Sequence, residues 1–324
     1  MRLLIVFLAL VALAWGQASA PLRLEKTIEL PDVQGRIDHM SVDVKSGRLF
    51  VSALGNNTVE ILDINAGKRL ATIKGLREPQ GVLYLSDTNR LYVANGDDGS
   101  VRIFDATSYK LLNTLNYGDD ADNLRYDPVR KSVYVGYGDG GLGEIESNGS
   151  KGADIRLDAH PESFRIEQTG PRIYVNLPDS RRIAVVDRER HTVIATWKTD
   201  LAFANFPMAL DESDHRLFVV TRLPPRLLVI DTATGNIIQK LPAVSDSDDV
   251  FYDAARKRIY ASGGGGEISV FQQTDPDHYS ELPHLETVKG ARTSLFSPEL
   301  DRLFLAVRRE GAQFAEIRIY APTQ

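Results

Sequence analysis

The sequence predicts an all-β fold, a seven-bladed β-propeller of four-stranded antiparallel blades that is closed by the N-terminal strand in the last blade. Three observations lead to this prediction. A strand motif of the type Arg-Leu-Tyr-Val recurs seven times along the 324 residues. Turn-forming residues separate short segments of alternating hydrophobicity between the motifs. The last repeat lacks its fourth strand, while an additional strand precedes the first repeat.

The motif recurs at intervals of 40 to 44 residues. A period of this length with strand-type patterning is typical of propeller blades and not of helical solenoids. Seven copies therefore predict seven blades. The copies begin at Arg48, Arg90, Ser132, Arg172, Arg216, Arg258 and Arg302.

Each repeat contains four predicted strands, as the second one illustrates. Its strands cover residues 82–85, 91–94, 101–104 and 110–115. Clusters of Ser, Asp, Thr, Asn and Gly separate them, and these residues favour turns because their side chains bond to nearby backbone or tolerate unusual dihedrals. The Asp residues that end the first strands, Asp43, Asp127, Asp211 and Asp253, are predicted to stabilise such turns.

The two ends of the chain predict how the ring closes. The seventh repeat has strands at 294–296, 303–307 and 316–320, and the sequence then stops at Gln324. Residues 22–30 precede the first full repeat and have the pattern of an outer strand. We therefore expect residues 22–30 to complete the last blade, which would protect the edges of the ring.

The N-terminus has the pattern of a secretory signal peptide. Arg2 precedes an apolar run from Leu3 to Trp15, and small residues follow up to Ala20. We predict a signal peptide over residues 1–20, a propeller over 21–324, and a periplasmic or secreted location in a bacterium. An uncleaved anchor is the alternative. Cleavage is expected after Ala18, because cleavage after Ala20 would place Pro21 first.

Composition excludes several classes of function. The net charge is −6 and no cluster of Lys and Arg is present, so we expect no nucleic-acid partner. The chain has no cysteine, which excludes thiol nucleophiles, disulfides and cysteine-based metal sites. No second apolar stretch is long enough to span a bilayer. We expect a monomer that binds a small molecule or a protein at its top face, which carries the mouth of the central channel.

The repeat also predicts which residues meet at the mouth of the central channel, where propellers place their ligand sites. The inner strand of every blade lines this channel, so residues one period apart form a ring. The predicted ring is Asp38, Gln80, Asp122, Glu162, Phe206, Asp248 and Arg292, followed by His39, Gly81, Asn123, Ser163, Pro207, Asp249 and Thr293.

The ring is rich in carboxylates, and like charges at close range need a cation, a proton or a basic partner. Oxygen ligands suit Ca²⁺ or Mg²⁺, whereas an added imidazole from His39 or His160 would suit Mn²⁺ or Zn²⁺. A purely structural ring that holds ordered water is the alternative. The candidate metal ligands are Asp38, Asp122, Asn123, Glu162 and Asp248.

Further polar residues near the mouth are candidates for ligand binding. Arg125 and Arg165 lie two residues farther along their strands, where they would hold an anionic ligand or neutralise Asp122 and Glu162. The full set of candidates is Gln80, Arg125, His160, Arg165, Asn205 and Arg292.

Two segments carry a family resemblance. Leu-Tyr-Val-Ala-Asn at 91–95 and Ile-Tyr-Val-Asn at 173–176, each followed by a strand that ends in Asp, resemble the YVTN-type repeat. The chain is similar over nearly all of residues 21–324 to the bacterial exported YncE-like β-propeller proteins. This resemblance implies a binding or scaffold module, because the fold defines that family more than any shared reaction does.

A more distant resemblance concerns the gluconolactonase-like propeller lactonases, whose motifs are not reproduced here as a set. It implies a divalent cation on Asp38, Asn123, Glu162 and Asp248, which would polarise a lactone carbonyl or activate water. His39 or Asp249 would be the catalytic base. We favour the binding interpretation over this metal-dependent hydrolase.

Overall fold

A computed structural model describes residues 20–324. Residues 1–19, which carry the predicted signal peptide except for Ala20, lie outside the described residues. The described chain forms seven four-stranded antiparallel sheets, which confirms the predicted number and kind of blades. Within residues 20–324, no helix is long and apolar enough to cross a membrane.

The strands follow the predicted order, and a 3-10 turn at Leu54–Asn56 interrupts blade 1. From the channel outward, the first three blades are β2 (Met40–Asp43), β3 (Arg48–Ala53), β4 (Thr58–Asp63) and β5 (Lys68–Ile73); β6 (Pro79–Leu85), β7 (Arg90–Asn95), β8 (Ser100–Asp105) and β9 (Leu111–Asn116); and β10 (Ala121–Asp127), β11 (Ser132–Tyr137), β12 (Gly141–Ile145) and β13 (Lys151–Arg156).

Blades 4 to 7 repeat this arrangement, with the N-terminal strand outermost in the last. They are β14 (Phe164–Ile166), β15 (Arg172–Leu177), β16 (Arg182–Asp187) and β17 (Thr192–Lys198); β18 (Phe203–Asp211), β19 (Arg216–Leu223), β20 (Pro225–Asp231) and β21 (Ile237–Pro242); β22 (Ser247–Asp253), β23 (Arg258–Gly263), β24 (Glu267–Asp275) and β25 (His278–Glu286); and β26 (Ser294–Ser297), β27 (Arg302–Val307), β28 (Ala315–Pro322) and β1 (Leu22–Leu30).

The N-terminal strand closes the ring as predicted. β1 pairs antiparallel with β28, from Leu22 opposite Pro322 to Leu30 opposite Ala315. Beyond the strand ends, the backbone N–H of Thr323 donates to the carbonyl of Pro21 at 3.0 Å. The last blade therefore contains both ends of the described chain.

The third residue of each motif is aromatic, and these rings form the core between neighbouring blades. Phe50 stacks on Tyr84 of the next inner strand with ring centroids 5.4 Å apart. Phe218 contacts Tyr252 in the same way at 5.3 Å. Removing such a ring from water stabilises the fold by about 1.5–3 kcal/mol. All seven are buried: Phe50, Tyr92, Tyr134, Tyr174, Phe218, Tyr260 and Phe304.

The first residue of the motif links each blade to the next one. The Arg48 guanidinium donates to the carbonyl of Ala106, in the turn between the third and fourth strands of blade 2, at 2.5 Å. Four more motif arginines make the same contact with the following blade. The pairs are Arg90 with Ser147, Arg172 with Thr232, Arg216 with Pro276 and Arg258 with Thr323.

Two interfaces use other cations for the same link. In blade 3 the motif begins with Ser132, and Arg188 of blade 4 reaches back instead, to within 3.1 Å of the Asp127 carboxylate. Between blades 7 and 1, Lys26 of β1 donates to the carbonyls of Ile64 and Asn65 at 3.0 and 2.7 Å. Every interface of the ring therefore has a cation on the face opposite the channel mouth.

The Asp residues at the ends of the inner strands stabilise turns, as predicted. Asp43 accepts from the backbone N–H of Ser46 at 3.2 Å, and Asp253 accepts from that of Ala255 at 3.0 Å. Asp127 and Asp211 bond to their own turns in the same way. These carboxylates are used by the fold, and they lie away from the candidate site.

Candidate functional site

A chamber of about 130 Å³ lies at the mouth of the channel, and every blade contributes to its wall. The seven residues that the repeat places one period apart all line it, together with neighbours on the same loops. These seven are Asp38, Gln80, Asp122, Glu162, Phe206, Asp248 and Arg292.

The backbone at the start of the inner strands explains why these side chains face the chamber. In blades 2, 3, 5 and 6 the pairing with the second strand is shifted by a β-bulge at the ring position. Bulges turn side chains and are common beside functional sites. Two residues before the ring position, these blades have a left-handed backbone, at Glu78, Asp120, Ala204 and Asp246, with φ between 35° and 53°. Such strain outside glycine persists only where the surrounding structure imposes it.

Gly81, next to Gln80, allows neighbouring blades to approach each other closely. A Cβ atom at this position would lie 2.1 Å from the carbonyl oxygen of Asp122. Only glycine fits such an approach of two backbones. The spacing between the ring residues of blades 2 and 3 therefore depends on this glycine.

Arginines neutralise two of the four acidic ring residues. The Arg36 guanidinium lies 2.6 Å from the buried Asp38 carboxylate. Asp248 forms ion pairs with Arg222 and, at 2.5 Å, with Arg292. A buried carboxylate that is paired in this way is less available to a metal ion, although burial still raises the pKa of Asp248 to about 6 against the effect of its two arginines. The structure thus separates Asp38 and Asp248 from the other candidate metal ligands.

His39 forms the base of the chamber and faces two carboxylates. Its Nδ1 lies 3.6 Å from Asp249, and its Nε2 lies 3.9 Å from Asp38. Burial lowers the pKa of His39, but Asp249 and Asp38 outweigh burial and raise the pKa to about 10. His39 is therefore a cation at neutral pH, and a protonated imidazole cannot act as the catalytic base. Asp249 also accepts from the backbone N–H of Ser294 at 2.9 Å.

Asp122, Glu162 and His160 converge on one side of the chamber. One ligand atom from each of them lies within 4.8 Å of those of the other two. Within residues 20–324, neither carboxylate has an ion-pair partner closer than 4.0 Å. Burial and the neighbouring carboxylates raise the pKa of Glu162 well above its ordinary value. Burial likewise raises the pKa of Asp122, although His39 opposes this. A cation placed between the Asp122 and Glu162 carboxylates would offset the free-energy cost of holding two negative charges close together in a buried site.

Two further observations indicate that this corner is built to bind. His160 Nδ1 lies 2.7 Å from the carbonyl of Gly138, to which it donates, and Nε2 lies 3.8 Å from the Asp120 carboxylate; in the neutral tautomer that this contact favours, Nε2 is the atom that can bind a metal. This is the arrangement that commonly orients a metal-binding imidazole. Beside it, Asn123 is buried and donates to Asp122 at 3.1 Å. Its Oδ1 atom accepts no hydrogen bond from the described residues.

The remaining predicted residues lie in three different places. Gln80 lines the chamber and donates to Asp120 at 2.7 Å. Asn205 lies outside the chamber, fully buried between blades 4 and 5, where it donates to Asn176 at 3.0 Å. Arg125 and Arg165 do not reach Asp122 or Glu162 but line a second cavity farther along the channel.

Sequence reasoning missed Arg36 and Arg222, which supply most of the positive charge near Asp38 and Asp248. Arg222 also lies over the ring of Phe206, with its Cζ atom 3.8 Å from the centroid. A signal for Arg222 existed, because it lies at the end of β19 and the loop after the second strand opens on the same face. Arg36 lies two residues before Asp38, at a position where the other repeats have neither Arg nor Lys.

Comparisons with known proteins agree with this architecture. No known protein-family profile matches the chain. Proteins named YncE from Salmonella typhi and Salmonella typhimurium are each 22% identical over 272 residues, which is 82% of this chain. The match spans 65% of their length, just under two thirds. A U3 small nucleolar RNA-associated protein 15 homolog from Gallus gallus is 30% identical over 98 residues, or 30% of this chain.

The fold is shared more widely than the sequence. A chain from the solved mitotic checkpoint complex superimposes over 100% of this chain and 99% of its own, with a TM-score of 0.78. Its identity of 14% supports a common fold and no common activity. Seven four-stranded blades, a last blade shared by both ends, and the similarity to the YncE proteins over 82% of this chain support the YncE-like β-propeller family as the one that the chain resembles.

Proposed function

We propose that this propeller is an exported binding protein whose channel-mouth chamber holds a divalent cation on Asp122, His160 and Glu162, and through it a small polar ligand. Two carboxylates and one oriented imidazole converge within 4.8 Å, and no arginine of residues 20–324 neutralises them; this is the observation that carries the proposal. The buried oxygen of Asn123 beside them, which has no hydrogen-bond partner among the described residues, supports it.

The donor set favours Mn²⁺ over Ca²⁺ or Mg²⁺. Carboxylate oxygens suit all three ions, but imidazole is a ligand of transition metals. Three protein ligands leave the octahedral shell that Mn²⁺ prefers incomplete, so water or a small ligand would complete it. The chamber of about 130 Å³ limits such a ligand to a very small polar molecule.

Binding is better supported than lactone hydrolysis. The lactonase-type arrangement needs Asp38 and Asp248 on the metal, and both are held by arginines instead. It also needs a proton acceptor, for which His39 and Asp249 are the candidates. His39 is protonated at neutral pH because Asp249 and Asp38 raise its pKa, and Asp249 is engaged by His39 and by the backbone N–H of Ser294. The residues of the chamber can thus hold a charged ligand in place. His39, at the base of the chamber, cannot accept a proton from that ligand.

Titration of the metal-free protein with MnCl₂ tests the proposal. Because the cation would bind the folded state alone, Mn²⁺ at 100 times its Kd is expected to raise the free energy of unfolding by about 2.7 kcal/mol. Asp122→Asn is expected to weaken Mn²⁺ binding at least about tenfold, since a charged ligand is lost. Calorimetry measures the affinity and thermal melting measures the stability.

Asp119→Asn is the matched control, because Asp119 is exposed on the same loop and does not line the chamber. Glu162→Gln separates binding from folding, since it removes one of two neighbouring buried carboxylates and should leave the metal-free protein at least as stable. If neither Mn²⁺ nor a chelator changes the melting temperature of the wild-type protein, the proposed metal site is wrong.

A further inference from the structure

A second cavity of about 290 Å³ lies farther along the channel, below the chamber at the mouth. Among residues 20–324, His39 alone lines both cavities. The inner strands of six blades form the wall of this lower cavity, from Met40 in blade 1 to Leu295 in blade 7. Its character differs from that of the upper chamber, since most of its wall is apolar.

The polar part of this wall includes Arg125 and Arg165, from neighbouring blades, together with His39, Asp249 and two serines, Ser41 and Ser294. Arg125 donates to the carbonyl of Leu124 at 2.7 Å, and Arg165 donates to that of Phe164 at 3.1 Å. A guanidinium group has five N–H donors. No other hydrogen bond of these two groups is formed to the described residues, so most of their donors are available.

The two guanidinium groups also differ from the arginines of the upper chamber in their surroundings. Within residues 20–324, no carboxylate lies within 4.0 Å of either group. Burial lowers the pKa of both, and the charge of Arg125 lowers that of Arg165 further. Asp249 lies in the same wall but is engaged by protonated His39 and by Ser294. Both arginine side chains are half-buried, and the Asp249 carboxylate opposes the lowering of each pKa without pairing with either group, so two neighbouring cations remain costly unless an anion joins them.

The wall around the arginines selects among anions. More than half of its residues are apolar or glycine, and these favour a hydrocarbon group and offer little to a fully hydrated phosphate, which the Asp249 carboxylate would also repel. A volume near the lower end of ordinary ligand pockets limits the occupant to a small molecule. The apolar side chains are Met40, Val42, Val82, Leu83, Leu124, Phe251 and Leu295.

We propose that this lower cavity binds a small monocarboxylate with an apolar body, whose carboxylate is held between Arg125 and Arg165. Guanidinium groups bind carboxylates through paired hydrogen bonds, which supply both charge and orientation. The apolar part lies against the side chains of the inner strands. This site is independent of the proposed metal site at the mouth.

Benzoate is a suitable probe, and benzyl alcohol is its uncharged counterpart. Benzoate is expected to bind the wild-type protein in calorimetry and to raise its melting temperature, whereas benzyl alcohol and inorganic phosphate do neither. Arg165→Met and Arg125→Met are each expected to weaken benzoate binding at least about tenfold. Asp119→Asn should leave it within about twofold, because Asp119 is exposed and lines neither cavity.

The stability of the variants distinguishes a binding role from a structural one. Arg165 is half-buried and has no ion-pair partner among residues 20–324, which costs free energy, so Arg165→Met should melt at the same or a higher temperature than the wild type in the absence of benzoate. If the two arginines only neutralise Asp122 and Asp249, the same change lowers the melting temperature and leaves any benzoate binding intact. Equal binding of phosphate, no binding of benzoate, or unchanged binding by the Arg125→Met/Arg165→Met variant would each overturn the proposal.

Discussion

His39 has an unusual charge state because of where it lies. It is enclosed between the two cavities and faces Asp249 and Asp38 at 3.6 and 3.9 Å. A further acid that raises its pKa is Asp122. A cation at this position offsets the acids above and below it, and it divides the channel into an acidic part and a basic part.

The raised pKa of His39 predicts how stability depends on pH. The folded value is about 10, against an ordinary value of 6.5. The folded state therefore holds a proton that the unfolded state releases, and this stabilisation is complete below pH 6.5 and is lost as pH rises through 10. The free energy of unfolding should fall by a few kcal/mol over that range, because a tenfold difference in proton affinity between the two states corresponds to about 1.4 kcal/mol.

Urea denaturation of the metal-free protein between pH 6.5 and 10 measures this slope. His39→Gln should lose it, whereas His284→Gln, at an exposed position of β25, should keep it. Equal slopes in the two variants would contradict the assignment of this charge to His39.

At the scale of the strand, the β-bulges at the start of the inner strands determine what the channel presents. In blade 2 the shift lies between Pro79 and Val82, and it includes Gln80 and Gly81. In blade 3 the shift lies between Ala121 and Leu124. Because the inner strands of blades 2 and 3 approach each other closely at Gly81, the bulge geometry and the glycine have to occur together.

Gly81→Ala tests this dependence. Its added methyl group would lie 2.1 Å from the Asp122 carbonyl oxygen, so the two inner strands must separate. We expect a loss of about 3 kcal/mol in the free energy of unfolding, together with weaker Mn²⁺ binding through the displaced Asp122. Chemical denaturation and calorimetry measure the two effects.

The control for this change is Gly152→Ala in outer strand β13. A Cβ atom there meets only side-chain atoms of Glu144 and Glu146, at 3.2 Å or more, and these can move aside. A Gly81→Ala protein as stable as this control would show that the close approach of blades 2 and 3 is dispensable.

The ring of residues at the channel mouth could be predicted because the repeats have a nearly constant length. Asp122 and Glu162 occupy equivalent positions in their repeats, so their meeting follows from the period alone. Arg222 comes from a different loop of its blade, and Asn205 precedes the ring by one residue. The bulge in β18 turns Asn205 into the interface between blades, and a local distortion of this kind depends on tertiary packing.

The sequence predicts where the charged residues lie better than it predicts which of them form ion pairs. Asp38, Asp122 and Asp248 are equivalent in the repeat, yet arginines hold Asp38 and Asp248 and, among the described residues, leave Asp122 without one. The difference depends on which long side chains can reach a given blade. Arginine reaches across several residues, so a period of about 42 residues does not specify its partner.

At the scale of the whole molecule, a cation links each blade to the next on the face opposite the mouth. Lys26 provides this link where the ring closes, through the carbonyls of Ile64 and Asn65. In a closed ring each blade depends on both neighbours, so the interface with the weakest link limits the stability of the ring. Lys26 is a lysine where most other interfaces have a motif arginine, and it makes two hydrogen bonds to backbone.

Lys26→Met should therefore destabilise the closing interface more than the rest. We expect a loss of about 1–2 kcal/mol, the range for hydrogen bonds from a partly buried charged group, with faster hydrogen exchange in β1 and β28. Lys45→Met, at an exposed position in a turn of blade 1, is the control. Exchange rates in β1 that match the control would show that the link contributes nothing to closure.

The shared last blade also has a consequence for the order of biosynthesis. Thr323 bonds to the backbone of Ala20 and Pro21, and the partners in the first contact are 303 residues apart in the chain. Of the described strands, β1 is synthesised first and must wait for β28, which is synthesised last. Until then the growing chain has six complete blades at most and an open ring, so its folding is slow and its exposed edges remain available to chaperones.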